Sequence, residues 1–200
     1  MQHYSQLKQD IFALKTAKNK TYIEIGAAYP VKISNTYLLE MNGWKGFSIE
    51  INSNKASTWS ENKERKNKLY VENAITFDYI NALQENNLPK HIGFLSVDIE
   101  PPENTFSALK SVIEQGISFD CITFEHDKYQ SNIDYDPIVK SYLKDYCYEV
   151  AVDNVFTMRK FRLESSQPKI NKKCYLETWF VNKEIYKETI DYVDWLKANE

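Results

Sequence analysis

The sequence predicts an α/β fold, a Rossmann-like three-layer sandwich with a mostly parallel seven-stranded sheet and an antiparallel edge hairpin. Three observations lead there. Short β-rich runs alternate with stretches of helical periodicity along most of the 200 residues. Two of the runs, GFLSVDI (93–99) and FDCITF (119–124), are continuously apolar, as strands covered on both faces are. The segment Thr21–Asn52 reads as strand, glycine turn, short helix and strand, with the acid Glu50 ending the second strand.

Apolar positions Tyr4, Leu7, Ile11, Phe12 and Leu14 predict an amphipathic helix over 4–17. Thr21–Ile25 alternates and is β-rich, and Gly26 breaks it. Ser34 and Asn35 suit the N-cap of a helix reaching Asn42, where Gly43 stops it. A second strand follows over 47–51, a polar helix over 54–66, a third strand over 69–73 and a helix over 77–85. After GFLSVDI, Pro101 and Pro102 bar continuation of a ladder. The helix over 105–114 carries Phe106, Leu109, Val112 and Ile113 on one side, and Gly116 closes it. A helix over 137–145 precedes strands over 148–152 and 175–181, which have no helix between them and so predict the hairpin. Residues 153–173 read as a loop long enough to be functional or mobile. Residues 184–198 read as a closing amphipathic helix. The whole chain, 1–200, is expected to form one domain, with the helix 4–17 preceding a core from residue 21.

Composition narrows the classes. A hydrophobic content of 42% argues against disorder. The formal charge is −3, with Lys and Arg scattered along the chain, so neither a nucleic-acid stripe nor a polybasic membrane patch is indicated. No apolar run approaches a membrane span, and the first residues lack the layout of a signal peptide, so the simplest address is cytoplasmic. Cys121, Cys147 and Cys174 lie far apart and show neither zinc spacing nor a disulfide framework.

In open α/β sheets, ligands sit beyond the carboxyl ends of the strands. Polar residues gather at five consecutive strand ends: Gly26-Ala27-Ala28, then Glu50, then Asn73-Ala74, then Asp98 with Glu100, then Glu125-His126-Asp127. Such groups cost stability unless something binds them. Gly26 permits close backbone approach, and Glu50 is placed to accept both ribose hydroxyls of a nucleoside. A dinucleotide site wants G-x-G-x-x-G for its pyrophosphate, whereas this loop runs Gly26, Ala27, Ala28, Tyr29, Pro30. A sulfonium nucleoside has no phosphate and needs no such cradle. A lone turn glycine or a strand-end carboxylate would be unremarkable alone; Glu24, within E-I-G, is typical of the binding strand for such a nucleoside, the lesser alternative being a strand acid salt-bridged to a neighbouring Lys.

The runs YIEIGA (22–27), KISNTYLLE (32–40), GWKGFSIEIN (43–52), LSVDIE (95–100) and ITFEHD (122–127) resemble the FkbM-like group of class I S-adenosylmethionine-dependent methyltransferases. The resemblance spans about 22–152. It implies bound S-adenosylmethionine and methyl transfer, typically to a hydroxyl oxygen of a sugar, glycan or other small molecule. By the same resemblance, Glu24, Gly26 and Ala27 would line the methionine side. Glu50 and Ile51 would hold the ribose end, Asn73 and Ala74 would flank the adenine, and Asn35 or Ser34 would face the cofactor. The family usually has a further glycine in the first loop and a glycine after its D-x-E; here Tyr29-Pro30 and Pro101-Pro102 stand instead.

For catalysis, His126 suits a general base near neutrality, with the surrounding carboxylates expected to raise its pKa. Asp98 is the second candidate and also borders the cofactor. A metal-assisted alternative has Asp98 with Glu125 or Asp127 holding Mg²⁺, which prefers oxygen ligands. Two other classes stay open: a nicotinamide-dependent oxidoreductase, which shares the strand-ending acid, and a catalytically silent methyltransferase-like binding module.

Overall fold

The computed structural model describes residues 2–129, 131–161 and 170–199. Among them, one sheet holds β1 (Thr21–Ile25), β2 (Lys45–Ile49), β3 (Lys68–Tyr70), β4 (His91–Val97), β5 (Ser118–Glu125), β6 (Tyr148–Phe161), β7 (Ile170–Asn182) and β8 (Ile190–Asp191). Their order is β3-β2-β1-β4-β5-β7-β6-β8. The first five strands pair in parallel. β7 is antiparallel to both β5 and β6, and β8 adds two residues parallel to β6. The strand order reverses between β1 and β4, which places the switch point there. The Rossmann-like class therefore stands, with eight strands in place of seven.

Helices cover both faces: α1 (Gln9–Thr16), α2 (Tyr37–Met41), α3 (Ser53–Glu61), α4 (Tyr79–Glu85), α5 (Pro102–Glu114), α6 (Tyr135–Asp145) and α7 (Tyr192–Ala198). Strand alternation divides the core. Ile23, Ile25, Phe47, Ile49, Leu95 and Val97 pack with residues of α4, α5 and α6. Tyr22, Phe94, Cys121 and Trp179 pack with Phe12 of α1, Leu39 of α2 and Trp195 of α7. On this second face, Ser48, Glu24 and Ser96 lie side by side in register, a polar row inside an otherwise apolar layer.

Several boundaries differ from expectation. The first helix starts at Gln9 because the Asp10 carboxylate accepts the Tyr4 and Ser5 N–H groups at 2.8 and 3.3 Å, folding the preceding residues into turns. α5 starts at Pro102, in the first turn, where a missing N–H costs nothing. The expected closing helix is shorter and preceded by β8, because Asp191 caps α7 by accepting the Val193 N–H. The largest correction falls on 153–173. Residues 153–161 and 170–173 belong to β6 and β7, while 162–169 lie outside the described residues. Bulges between Val150 and Phe156 interrupt the two-residue alternation that would have marked β6 as one strand. Among the described residues, no helix is long and apolar enough to cross a membrane.

Candidate active site

A cleft of about 180 Å³ opens at the switch point, lined in part by Gly26, Glu50, Ile51, Asn73, Ala74 and Glu100. Five residues singled out for the cofactor thus meet there. Gly26 adopts φ +87°. Its N–H and that of Ala27 both donate to the Ile49 carbonyl, at 2.9 and 3.1 Å, extending the β1–β2 connection past the strands. Ala27 itself is buried. Glu50 is buried, and its two oxygens accept the Ala28 N–H at 2.9 Å and the Asn52 N–H at 2.8 Å. Each oxygen keeps a second acceptor site, so the carboxylate is fixed without being saturated. Ala28 takes φ +43°, where a glycine would be at ease. The Glu50 bond on its N–H and the Trp59 indole N–H on its carbonyl, at 3.2 Å, hold it there. Ile51 is 67% exposed on the rim, and Ala74 and Ile75 form an apolar wall. Asn73 shapes that wall: its side-chain oxygen accepts the Ile75 N–H at 3.0 Å.

Two expected cofactor contacts are instead engaged beneath the loop. Glu24 is 2% exposed and accepts the Thr36 and Ser48 hydroxyls, each at 2.7 Å, with the Arg65 guanidinium 3.7 Å away. Burial raises its pKa, against the Arg65 charge and these hydrogen bonds. Asn35, read as a helix cap, donates from its side chain to Ser96 at 2.8 Å; Ser34 does the capping, accepting the Tyr37 N–H. Both residues moor the first loop to the polar row of the sheet. Arg65 completes the mooring. It pairs with Glu40 at 2.8 Å, donates to the Pro30 carbonyl at 2.9 Å and to Ser34 at 3.1 Å, and stacks 4.1 Å over Trp59. It stands among lysines in the run KERKNK, and only its being arginine, the residue suited to forked and stacked contacts, hinted at this role.

Behind the cleft lies an acidic floor. Burial raises the pKa of Asp98, with Glu100 and Glu50 adding to it. Burial also pushes Glu125 well above the carboxylate range, helped by Asp98, to which it is hydrogen-bonded. Burial and the neighbouring Asp98 thus favour the neutral form of Glu125. Glu177, missed in the sequence because it sits inside a strand, is pushed by burial from 4.5 up to about 8. Its carboxyl oxygens accept the Gln9 amide at 2.5 Å and the Trp179 indole at 2.6 Å. The expected Mg²⁺ site at Asp98, Glu125 and Asp127 is not formed: among the described residues, no group of three or more His, Cys, Asp or Glu is arranged to hold a metal ion. Asp98 and Glu125 are instead hydrogen-bonded to each other.

His126 also departs from expectation. It is 2% exposed, and burial lowers its pKa rather than the carboxylates raising it. The charges acting on it are Asp136, Asp134, Lys140 and Lys128, from α6 and the turn before it. It does not border the cleft.

A folded pKa above the unfolded one makes a contribution present in full at low pH and lost as pH rises through the folded value. For Glu177 that window runs from 4.5 to about 8. Chemical unfolding across this range should show stability falling with rising pH, and Glu177→Gln should remove the part of the slope nearest pH 8. An unchanged slope in the variant would contradict the buried neutral acid.

No protein-family model matches the chain, and no curated protein matches it. Solved structures do resemble it in fold. One is the M. capricolum TrmK in complex with S-adenosyl-homocysteine, with 11% identity and a TM-score of 0.57, covering 98% of this chain and 84% of that one. Another is the N-methyltransferase NodS from Bradyrhizobium japonicum WM9, with 11% identity and a TM-score of 0.54, covering 88% and 94%. A third is the precorrin-6y C5,15-methyltransferase from Geobacter metallireducens GS-15, with 15% identity and a TM-score of 0.53, covering 86% and 84%. The fold is thus the Rossmann-like α/β fold of methyltransferases.

Proposed function

We propose that the protein is an S-adenosylmethionine-dependent methyltransferase acting on a hydroxyl acceptor, of the FkbM-like kind that the runs around Gly26 and Glu50 resemble. The observation that carries this reading is one cleft, at the switch point, shared by a side-chain-free Gly26 and a fixed, unsaturated Glu50 carboxylate. Glu50 would hold the ribose hydroxyls, and Ile51, Ala74 and Ile75 would flank the adenine. When bound, the cofactor supplies an electrophilic methyl group on a positively charged sulfonium. Charge favours this donor over a dinucleotide. Glu50, Glu72 and Glu100 line the cleft and Asp98 stands behind it, a setting that suits a cation and repels a pyrophosphate. Asp98, which follows β4 behind the cleft and is hydrogen-bonded to Glu125, is the base in this reading and would accept the acceptor's proton. A sugar, glycan or other small molecule is the acceptor class that the resemblance supports.

Titration calorimetry tests the reading. S-adenosylhomocysteine should bind and NAD should not. Glu50→Ala should weaken binding roughly ten- to a hundredfold, the worth of one or two charge-assisted hydrogen bonds. Binding of NAD alone would replace the proposal with an oxidoreductase, and binding of neither with a silent module.

A further inference from the structure

β5 ends at Glu125, opposite Glu177 of β7. Ahead of that point, β7 has β6 as its ladder partner among the described residues. The two strands therefore continue as a ribbon, 155–161 with 170–176, past the carboxyl ends of the parallel strands and on the edge that carries the cleft. Arg159, Lys160, Lys172 and Lys173 are all exposed on it. Arg159 lies directly opposite Lys172. Like charges so placed are unfavourable by ~0.2–1 kcal/mol.

Among the described residues, none of these four cations has an ion-pair partner. Two are held by rings instead. The Arg159 guanidinium lies 4.5 Å over Tyr129, and the Lys173 ammonium 4.3 Å over Phe156. A ring fixes the position of a cation without neutralising it. The chain as a whole carries −3, so this concentration runs against the overall charge. By strand alternation Lys160, Lys173, Met158 (54% exposed) and Tyr175 (38% exposed) share one face of the ribbon, and Arg159 and Lys172 stand on the other. The arm also starts beside the acidic floor, because Glu177 of β7 lies opposite Glu125 at its base.

We propose that this ribbon binds RNA along the face that carries Lys160 and Lys173, these two cations meeting phosphates while Tyr175 and Met158 lie against unstacked bases, and that it brings the strand toward the cleft. Unpaired cations interleaved with flat or polarisable side chains suit a single-stranded or looped polynucleotide. RNA is preferred to DNA because its ribose presents a hydroxyl, the acceptor type proposed above; that preference and delivery to the cleft rest on that reading, whereas binding of a single strand itself does not. The basic residues are scattered in the sequence and gather only when β6 pairs with β7. Lysines that merely guard an open strand edge are the competing account.

Fluorescence anisotropy with a short labelled single-stranded RNA separates them. Binding should weaken with salt, with a log–log slope of about −1.4 for two phosphate contacts. The quadruple variant Arg159→Gln, Lys160→Gln, Lys172→Gln and Lys173→Gln should bind at least about tenfold more weakly with a flatter slope. It should keep the parent's thermal midpoint and affinity for S-adenosylhomocysteine. An absence of RNA binding at low salt, or undiminished binding by the variant, overturns the proposal. So does binding to phosphatidylserine vesicles with none to RNA. Failure of S-adenosylhomocysteine to bind while RNA binds would instead strike the methyltransferase reading and leave the arm standing.

Discussion

Gly26→Ala is expected to cost the protein its cofactor affinity and much of its stability. A Cβ at this position would overlap the Asp98 carbonyl oxygen and stand 2.8 Å from the Ile99 Cγ2. The obstacle is mainly backbone at the end of β4, so no side-chain rotation relieves it. The φ of +87° adds a left-handed penalty of roughly 1–2 kcal/mol, and overpacking a further ~1–3 kcal/mol. Relief requires moving β4 away from β1, which deforms the switch point and displaces Asp98. Binding of S-adenosylhomocysteine should fall by a factor of about a hundred or more, in keeping with a loss of some 3 kcal/mol. Gly43→Ala is the matched control. Gly43 has φ +79° and nothing within 4 Å of where the alanine methyl would stand, so it carries the backbone penalty alone. Thermal unfolding and calorimetry on both variants isolate the close approach. Equal behaviour of the two would show that Gly26 is an ordinary turn glycine.

Arg65→Met should destabilise the fold by roughly 3–5 kcal/mol, the usual result of stripping a buried ion cluster of its counter-charge. Glu24 and Glu40 would keep their buried positions without the guanidinium between them, and the Pro30 carbonyl and Ser34 would lose their donor. Methionine retains a long side chain against Trp59, so lost packing is a minor part. The defect should depend on pH. Glu24 already has a raised folded pKa, and removing Arg65, which lowers it, raises it further. A protonated Glu24 needs no partner. The gap between parent and variant should therefore stay at its smallest below the raised folded value of Glu24 in the parent, which lies above the ordinary 4.5, and widen as pH rises through it. Urea unfolding over that range measures it, and a pH-independent gap would assign the loss to packing alone.

Much of the parallel half was legible in the sequence. GFLSVDI and FDCITF declared themselves as doubly covered strands, and Gly26, Glu50, Ile51, Asn73 and Ala74 lie around one cleft, because strand ends in an open sheet converge by topology. The rest depended on contacts between distant residues. Glu24 and Asn35 face the polar row beneath the loop, since the face a strand residue presents is set by which helices cover it. Arg65 and Glu177 carried no local signal. Arg65 meets Pro30 across 35 residues of chain, and Glu177 meets Gln9 across 168. The hairpin arm was hidden by bulges that erase periodicity, and His126 by burial, which outweighs the carboxylates of its own turn.

The first helix finds its seat among the last residues. Phe12 packs 4.8 Å from Trp179, the Leu7 carbonyl accepts the Tyr192 hydroxyl at 2.9 Å, and the Lys15 ammonium meets the Asn199 side chain at 2.6 Å. During vectorial synthesis α1 can meet α2 and β5 before those last residues exist, so its seat is completed only when they follow. Part of its amphipathic face stays wet until then, and the contact between Leu7 and Tyr192 closes a loop across 185 residues. A helix made well ahead of some of its partners is thus fully secured only after them.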